Sequence, residues 1–147
     1  MKGKDYHITL TVKGTTHEVF NDINKVTKWW NENLTGSSKK LNDEFTVLFG
    51  EVHVSTQKLI EIVPDKKVVW LVTQSNLNFI KKRDEWTGTK ISFELSEKDG
   101  KTQIDFTHHG LVPEVECFTD CQKGWDYYLK GSLYKLLTTG KGEPERK

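Results

Sequence analysis

The chain contains no alanine at all, only one methionine, three prolines and two cysteines among 147 residues. Where a helix needs a small side chain it therefore has to use Gly or Ser, and 11 glycines are present. Charge of one sign is also lacking: 22 basic residues are met by 21 acidic ones, for a formal charge of +1. Binding nucleic acid through phosphate neutralisation needs a basic surplus on one face. The short clusters Lys39-Lys40, Lys66-Lys67 and Lys81-Lys82-Arg83 are scattered, so no nucleic-acid partner is expected. No apolar run approaches the ~18 residues of a membrane span, and Met1-Lys2-Gly3-Lys4-Asp5 does not open a signal peptide. The expectation is a soluble, cytoplasmic protein without a membrane partner. Cys117 and Cys121 stand four apart in a helical stretch, which puts their Cβ atoms about 5–6 Å apart against about 3.5–4.5 Å in a disulfide. They are expected to be free thiols.

What is present is enough for a core. Leu, Ile, Val and Phe number 39, above the roughly 20% below which chains stay disordered, and the length fits one domain, 1–147, ending in a short charged tail over 141–147. Residues 5–13 alternate, with Tyr6, Ile8, Leu10 and Val12 on one face, as a half-buried strand does. Thr15 followed by Glu18 is a capping-box pattern that opens a helix through Val19, Phe20 and Ile23. A second short helix ends on Trp29-Trp30, and 31–42 reads as loop.

From Asp43 the period-2 pattern returns in successive hairpins: Phe45, Val47 and Phe49; 52–63; Val68, Trp70 and Val72; then Ile91, Phe93 and Leu95. The Asp99-Gly100 turn signal leads to Ile104, Phe106 and His108. Residues 75–87 are polar and broken. Beyond Pro113, apolar residues from Val115 to Leu137 keep helical spacing over about six turns, and Gly140-Lys141-Gly142 ends the helix. The pattern predicts an α+β domain: a curved antiparallel six-stranded sheet wrapped around one long C-terminal helix, with two short helices after strand 1. A helix of nearly 40 Å covers the sheet but does not fill its open end, so a cavity is expected there. Gly124 and Gly131, each costing about 0.8–1 kcal/mol inside a helix, serve either close packing or such a space.

Several short motifs occur together in order: Thr16-His17-Glu18-Val19-Phe20, Trp29-Trp30, Val69-Trp70, Thr107-His108-His109-Gly110-Leu111, and Lys123-Gly124-Trp125 with Leu129, Leu133 and Gly140. In these the chain resembles the START-like (SRPBCC, helix-grip) superfamily, and within it the activator of heat-shock-protein-90 ATPase homologues. The resemblance implies a helix-grip fold and, for most such members, a pocket for apolar or amphipathic small molecules; some are enzymes or chaperone activators. The activator's amino-terminal domain has no counterpart in these residues, which weighs against a chaperone partner.

The converging faces nominate Trp30, Phe45, Val47, Trp70, Val72, Phe93, Phe106, His108, Cys121, Gly124, Trp125 and Tyr128 as the lining of a cavity for a small hydrophobic or amphipathic ligand, a lipid included. Binding is by burial, with roughly 2.5 kcal/mol gained per ~100 Å² of apolar surface before ordering costs. Two alternatives stand beside it: a cyclase- or hydrolase-like enzyme with His108 and Tyr128 as acid and base, and a chaperone-activating interaction module marked by an exposed apolar patch. No cofactor is implied. Cys117, Cys121, His108 and His109 lack paired CxxC or HxxxH spacing, so no metal site is expected. An exposed sheet edge permits a homodimer.

Overall fold

A computed structural model describes residues 4–145. Strand β1 (Tyr6–Lys13) is followed by helices α1 (Thr16–Asn24) and α2 (Val26–Trp29). The chain then runs through β2 (Leu34–Gly36), β3 (Glu44–Phe49), β4 (His53–Val63), β5 (Lys67–Leu77), β6 (Lys90–Lys98) and β7 (Lys101–His109). The C-terminal rod is α3 (Phe118–Asp126), a π-helical segment (Tyr127–Leu133) and α4 (Tyr134–Thr139). The strands form one antiparallel sheet in the order β1-β7-β6-β5-β4-β3-β2.

The sheet has seven strands where the sequence pattern predicts six. The extra one, β2, pairs Leu34, Thr35 and Gly36 with Val47, Thr46 and Phe45. Three residues carry no readable period, and β2 owes its conformation to its neighbour. A Cβ on Gly36 would run into the Glu44 carbonyl oxygen, and its φ of +105° suits glycine,.

Local chemistry sets the other boundaries. Thr15 and Glu18 form the capping box, with Glu18 N donating to Thr15 Oγ1 at 3.1 Å and Thr15 N to Glu18 Oε1 at 3.2 Å. Asp99 and Gly100, both at positive φ, make the two-residue turn between Lys98 and Lys101,. Register shifts at Thr56/Gln57 and Leu59/Glu61 interrupt the long β4–β5 ladder, and such bulges bend a strand and increase its twist.

The concave face is filled by aromatic rings. All five tryptophans belong to one cluster: Trp70 stacks on Trp30 at 5.6 Å, Trp30 on Trp125 at 5.1 Å, Trp125 on Trp86 at 5.8 Å, and Trp29 lies against both Trp30 and Trp70. Phe45, Phe93 and Phe106 meet these indoles edge-on or tilted.

The segment after α4 is tied down. Gly140, at φ +86°, ends the helix; Ser132 Oγ donates to Trp29 O and accepts from Glu143 N. Glu145 N donates to Trp30 O at 2.9 Å, and Glu32 N to Glu145 O at 2.9 Å. Residues 141–145 of the expected charged tail thus strap α2 to the C-terminal rod, while 146–147 lie outside the described residues. A Cβ on Gly142 would collide with the Lys28 carbonyl oxygen, so the strap needs glycine there. Among the described residues no helix is long and apolar enough to cross a membrane.

Candidate functional site: an aromatic cavity beside Gly124

At one end of the rod the indole column stops short of filling the fold, leaving a cavity of about 230 Å³. Trp30 forms its floor with Trp125 and Trp86. Phe49 and His53 come from the ends of β3 and β4, and Cys121, Gly124 and Tyr128 from the rod. Val52, Phe79 and Asp120 form the rim. Val52 and Phe79 are 49% and 42% exposed, so apolar surface continues outward around the opening. The β3–β4 turn is held to the segment after β5 by Asn78 N donating to Val52 O at 3.0 Å and by the Asn78 side chain on Glu51 O.

Gly124 explains part of the space. A Cβ built there, or on Gly131, meets nothing within 4 Å. Close helix-to-sheet packing is therefore not the reason for either glycine, and at position 124 the open volume is the cavity itself.

The sequence-nominated lining divides in two. Trp30, Cys121, Gly124, Trp125 and Tyr128 border the cavity. Phe45, Val47, Trp70, Val72, Phe93, Phe106 and His108 lie deeper, at 0–1% exposure within the packed interior. Sequence reasoning missed Phe49, Val52, His53, Phe79, Trp86 and Asp120. Phe49 shares the parity of Phe45 and Val47, and His53 begins the buried series His53, Ser55, Gln57 and Leu59 on β4, so both signals were present. Trp86 sits in a polar stretch whose apolar residues, Leu77, Phe79, Ile80 and Trp86, follow no period.

His108 and Tyr128 are not brought together as an acid–base pair. Trp125 Nε1–H donates to His108 Nδ1 at 3.0 Å. The Thr89 hydroxyl donates to Trp86 O at 2.6 Å and so accepts from His108 Nε2–H at 2.8 Å. Both imidazole nitrogens are thereby engaged and the neutral Nε2–H tautomer is fixed. Burial, reinforced by the charges of His109 and His53, holds this imidazole's pKa down at about 3. Its role in this arrangement is to orient the indole of Trp125 and, through Thr89, the backbone of Trp86. The Tyr128 hydroxyl donates to Glu145 Oε1 at 3.2 Å, and burial, followed by the Glu145 charge, pushes its pKa above the ordinary phenol range.

The imidazole at the cavity is His53. Its Nε2 bonds Ser55 Oγ at 2.8 Å, which also accepts from Gln57 Nε2 at 2.6 Å. The ring meets Trp86 and Phe49 edge-on at 4.7 and 5.0 Å, and burial lowers its pKa to about 4. At neutral pH it is an uncharged polar edge in an aromatic wall. Cys117 and Cys121 are free, as expected, and both buried. No cluster of three or more metal-ligating side chains occurs among the described residues.

The fold has relatives. A solution structure of the Aha1 dimer from Colwellia psychrerythraea superimposes with a TM-score of 0.76 at 22% identity, over 95% of this chain and 99% of that one. A Staphylococcus saprophyticus protein gives 0.68 at 14% identity over 96% and 97% of the two chains. DynU16, from the dynemicin biosynthetic locus, gives 0.68 at 14% identity over 96% of this chain and 50% of its own. At these identities the likeness is one of fold. No curated protein matches by sequence. The family described as "Activator of Hsp90 ATPase homolog 1-like protein" matches residues 15–138, which is most of the chain and includes the capping box, the indole cluster and the cavity wall of the rod; the chain belongs to that family.

Proposed function

We propose that this protein binds one small, flat, mainly aromatic molecule in the cavity beside Gly124. The observation that carries the reading is the aromatic-walled space of about 230 Å³ onto which a helix glycine opens. That volume exceeds the roughly 150 Å³ of an engineered apolar cavity that holds benzene and falls below the roughly 300–1,000 Å³ of drug-sized sites. One or two fused rings fit; a long acyl chain would have to project past Val52 and Phe79. A guest of about ten heavy atoms, at about 0.5 kcal/mol per atom, gains about 5 kcal/mol, a Kd of a few hundred micromolar. Additional polar contacts to His53 would tighten it.

The five indole N–H groups provide the test. On titration with naphthol, followed by amide and indole NMR shifts with calorimetry for affinity, the indoles of Trp30, Trp86 and Trp125 should move. That of Trp29, bonded to Ile23 O at 2.9 Å, should not. Shifts spread evenly over all five, or none at millimolar guest, would refute the assignment. Association of two copies belongs to the same reading, since the eight-residue β1 is an edge of the sheet and the Colwellia protein of this fold was solved as a dimer. Sedimentation that stays monomeric at high micromolar concentration would remove that element alone.

A further inference from the structure

We propose that His53 selects the guest: its Nδ1–H is a fixed hydrogen-bond donor into the cavity, and the matching guest is a flat, uncharged aromatic ring system with one acceptor on its edge, a ring nitrogen or a ring carbonyl. The proposal rests on the cavity reading and adds the polar group that the guest must carry.

Strand β4 turns His53, Ser55 and Gln57 inward in succession, at 8%, 1% and 0% exposure, before Leu59 restores the apolar series. Three polar side chains in a row within an aromatic interior are costly unless they bond one another. They do, and the bonds run in one direction. Gln57 Nε2 donates to Ser55 Oγ at 2.6 Å. The other neighbour of that hydroxyl is His53 Nε2 at 2.8 Å, and among the described residues the Ser55 proton has no other acceptor. The Ser55 hydroxyl therefore donates to His53 Nε2, and the neutral ring carries its proton on Nδ1. His108 holds the opposite tautomer, with its proton on Nε2.

Nδ1 is the edge left for a guest. The ring borders the cavity and makes no second hydrogen bond among the described residues. Nδ1 is nevertheless not shut in, unlike Asn24 Oδ1, Gln57 Oε1 and Trp70 Nε1, which are buried without a partner; its N–H opens on the cavity. Edge contacts with Phe49 and Trp86 hold the ring plane. Other donors of the lining are occupied: the Trp86 and Trp125 indoles donate to Cys121 Sγ and His108 Nδ1, and the Tyr128 hydroxyl to Glu145. Asp120, the charged side chain of the lining, stands at the rim and repels an anionic guest, so the acceptor has to be neutral. Burial keeps His53 itself uncharged, with a pKa of about 4.

Isoquinoline and indole test this, because they are alike in size and apolar surface while one offers a ring acceptor and the other a ring donor. Calorimetry at mildly alkaline pH, where isoquinoline is neutral, should find isoquinoline bound roughly tenfold more tightly, the difference between a hydrogen bond made and a buried donor left without one. His53→Phe, which keeps an aromatic wall, should abolish the preference, chiefly by weakening isoquinoline. Ser55→Ala should narrow it, because the tautomer is no longer fixed. In the unaltered protein, nitrogen NMR of the imidazoles should show His53 protonated on Nδ1 and His108 on Nε2, a readout that needs no variant. His53 found with its proton on Nε2, indole bound as tightly as isoquinoline, or a preference that survives in His53→Phe would overturn the proposal. If any of these occurs while naphthol still shifts the Trp30, Trp86 and Trp125 indoles, the donor assignment fails and the binding site stands. If none of the three compounds perturbs the protein, both readings fall.

Discussion

Replacing Gly124 separates the volume argument from ordinary helix energetics, because the two respond in opposite directions. A methyl group at position 124 meets no atom within 4 Å, so Gly124→Ala gains the helix-propensity difference of about 0.8–1 kcal/mol without a steric cost. For 147 residues the unfolding entropy is about 0.3 kcal/mol/K, which turns that gain into a Tm rise of about 3 °C. Gly124→Leu goes further and projects four carbons into a cavity of about 230 Å³. If it displaces about 60–80 Å² of guest surface, affinity falls by about 1.5–2 kcal/mol, or roughly 10- to 30-fold. Gly131, which also meets nothing within 4 Å but does not border the cavity, supplies the control: Gly131→Ala should leave affinity unchanged. Differential scanning calorimetry gives the first quantity and titration with naphthol the second. A Gly124→Ala protein that melts below wild type would mean that the space is not open. A Gly124→Leu protein of undiminished affinity would mean that the guest sits elsewhere.

Three other outcomes follow from the polar groups around the rings. His53 and His108 have pKa values of about 4 and 3 in the fold, below the ordinary ~6.5, so the unfolded chain binds protons that the folded one does not. Stability is complete above about pH 6.5 and falls as pH drops, by about 2 kcal/mol per histidine at about pH 5; urea midpoints at pH 7 and pH 5 should show it, and His53→Gln should remove about half the difference. Thr89→Val leaves His108 Nε2–H without its present partner, while Trp86 O loses the hydroxyl but keeps the amide of residue 89; it should cost about 1–3 kcal/mol in denaturant titration, whereas Thr89→Ser should cost much less. Deleting residues 143–147 removes the bonds from Glu145 to Trp30, Glu32 and Tyr128; a loss of roughly 2 kcal/mol and a shifted Trp30 indole resonance are expected, and an unchanged urea midpoint would show the strap to be idle.

The parts of the fold legible in the sequence are those whose residues decide their own conformation. Thr15 with Glu18, Asp99-Gly100 and Gly140 each satisfy or release a backbone group locally,, and the alternation in β1, β3, β6 and β7 follows directly from one buried face. Leu34–Gly36 is different because its strand exists only against Val47–Phe45. The same holds for β5, which runs on to Leu77 through polar Ser75 and Asn76 because they pair with Ser55 and Val54. Within the C-terminal rod the apolar spacing is met, yet Tyr127–Leu133 is π-helical. A one-residue change in hydrogen-bond span leaves almost no trace in a hydrophobic pattern, although such segments recur beside functional sites.

The cavity lies shallower than the inward-facing residues suggest, and the reason is volumetric. Room is left beside the rod, but inward parity says only which residues face the interior, not how much of it they occupy. Here five indoles and three phenylalanines fill the middle, so residues such as Trp70, Phe93 and His108 became packing where the pattern alone suggested lining. What survives as cavity lies where the supply of large side chains stops: at Gly124 on the rod, at the strand ends Phe49 and His53, and at the single indole, Trp86, lent by an irregular segment. That segment is anchored through Thr89 to His108 and through Trp86 to Cys121. A histidine with no free nitrogen therefore holds two of the cavity's walls in place, the indole of Trp125 directly and the backbone of Trp86 through Thr89.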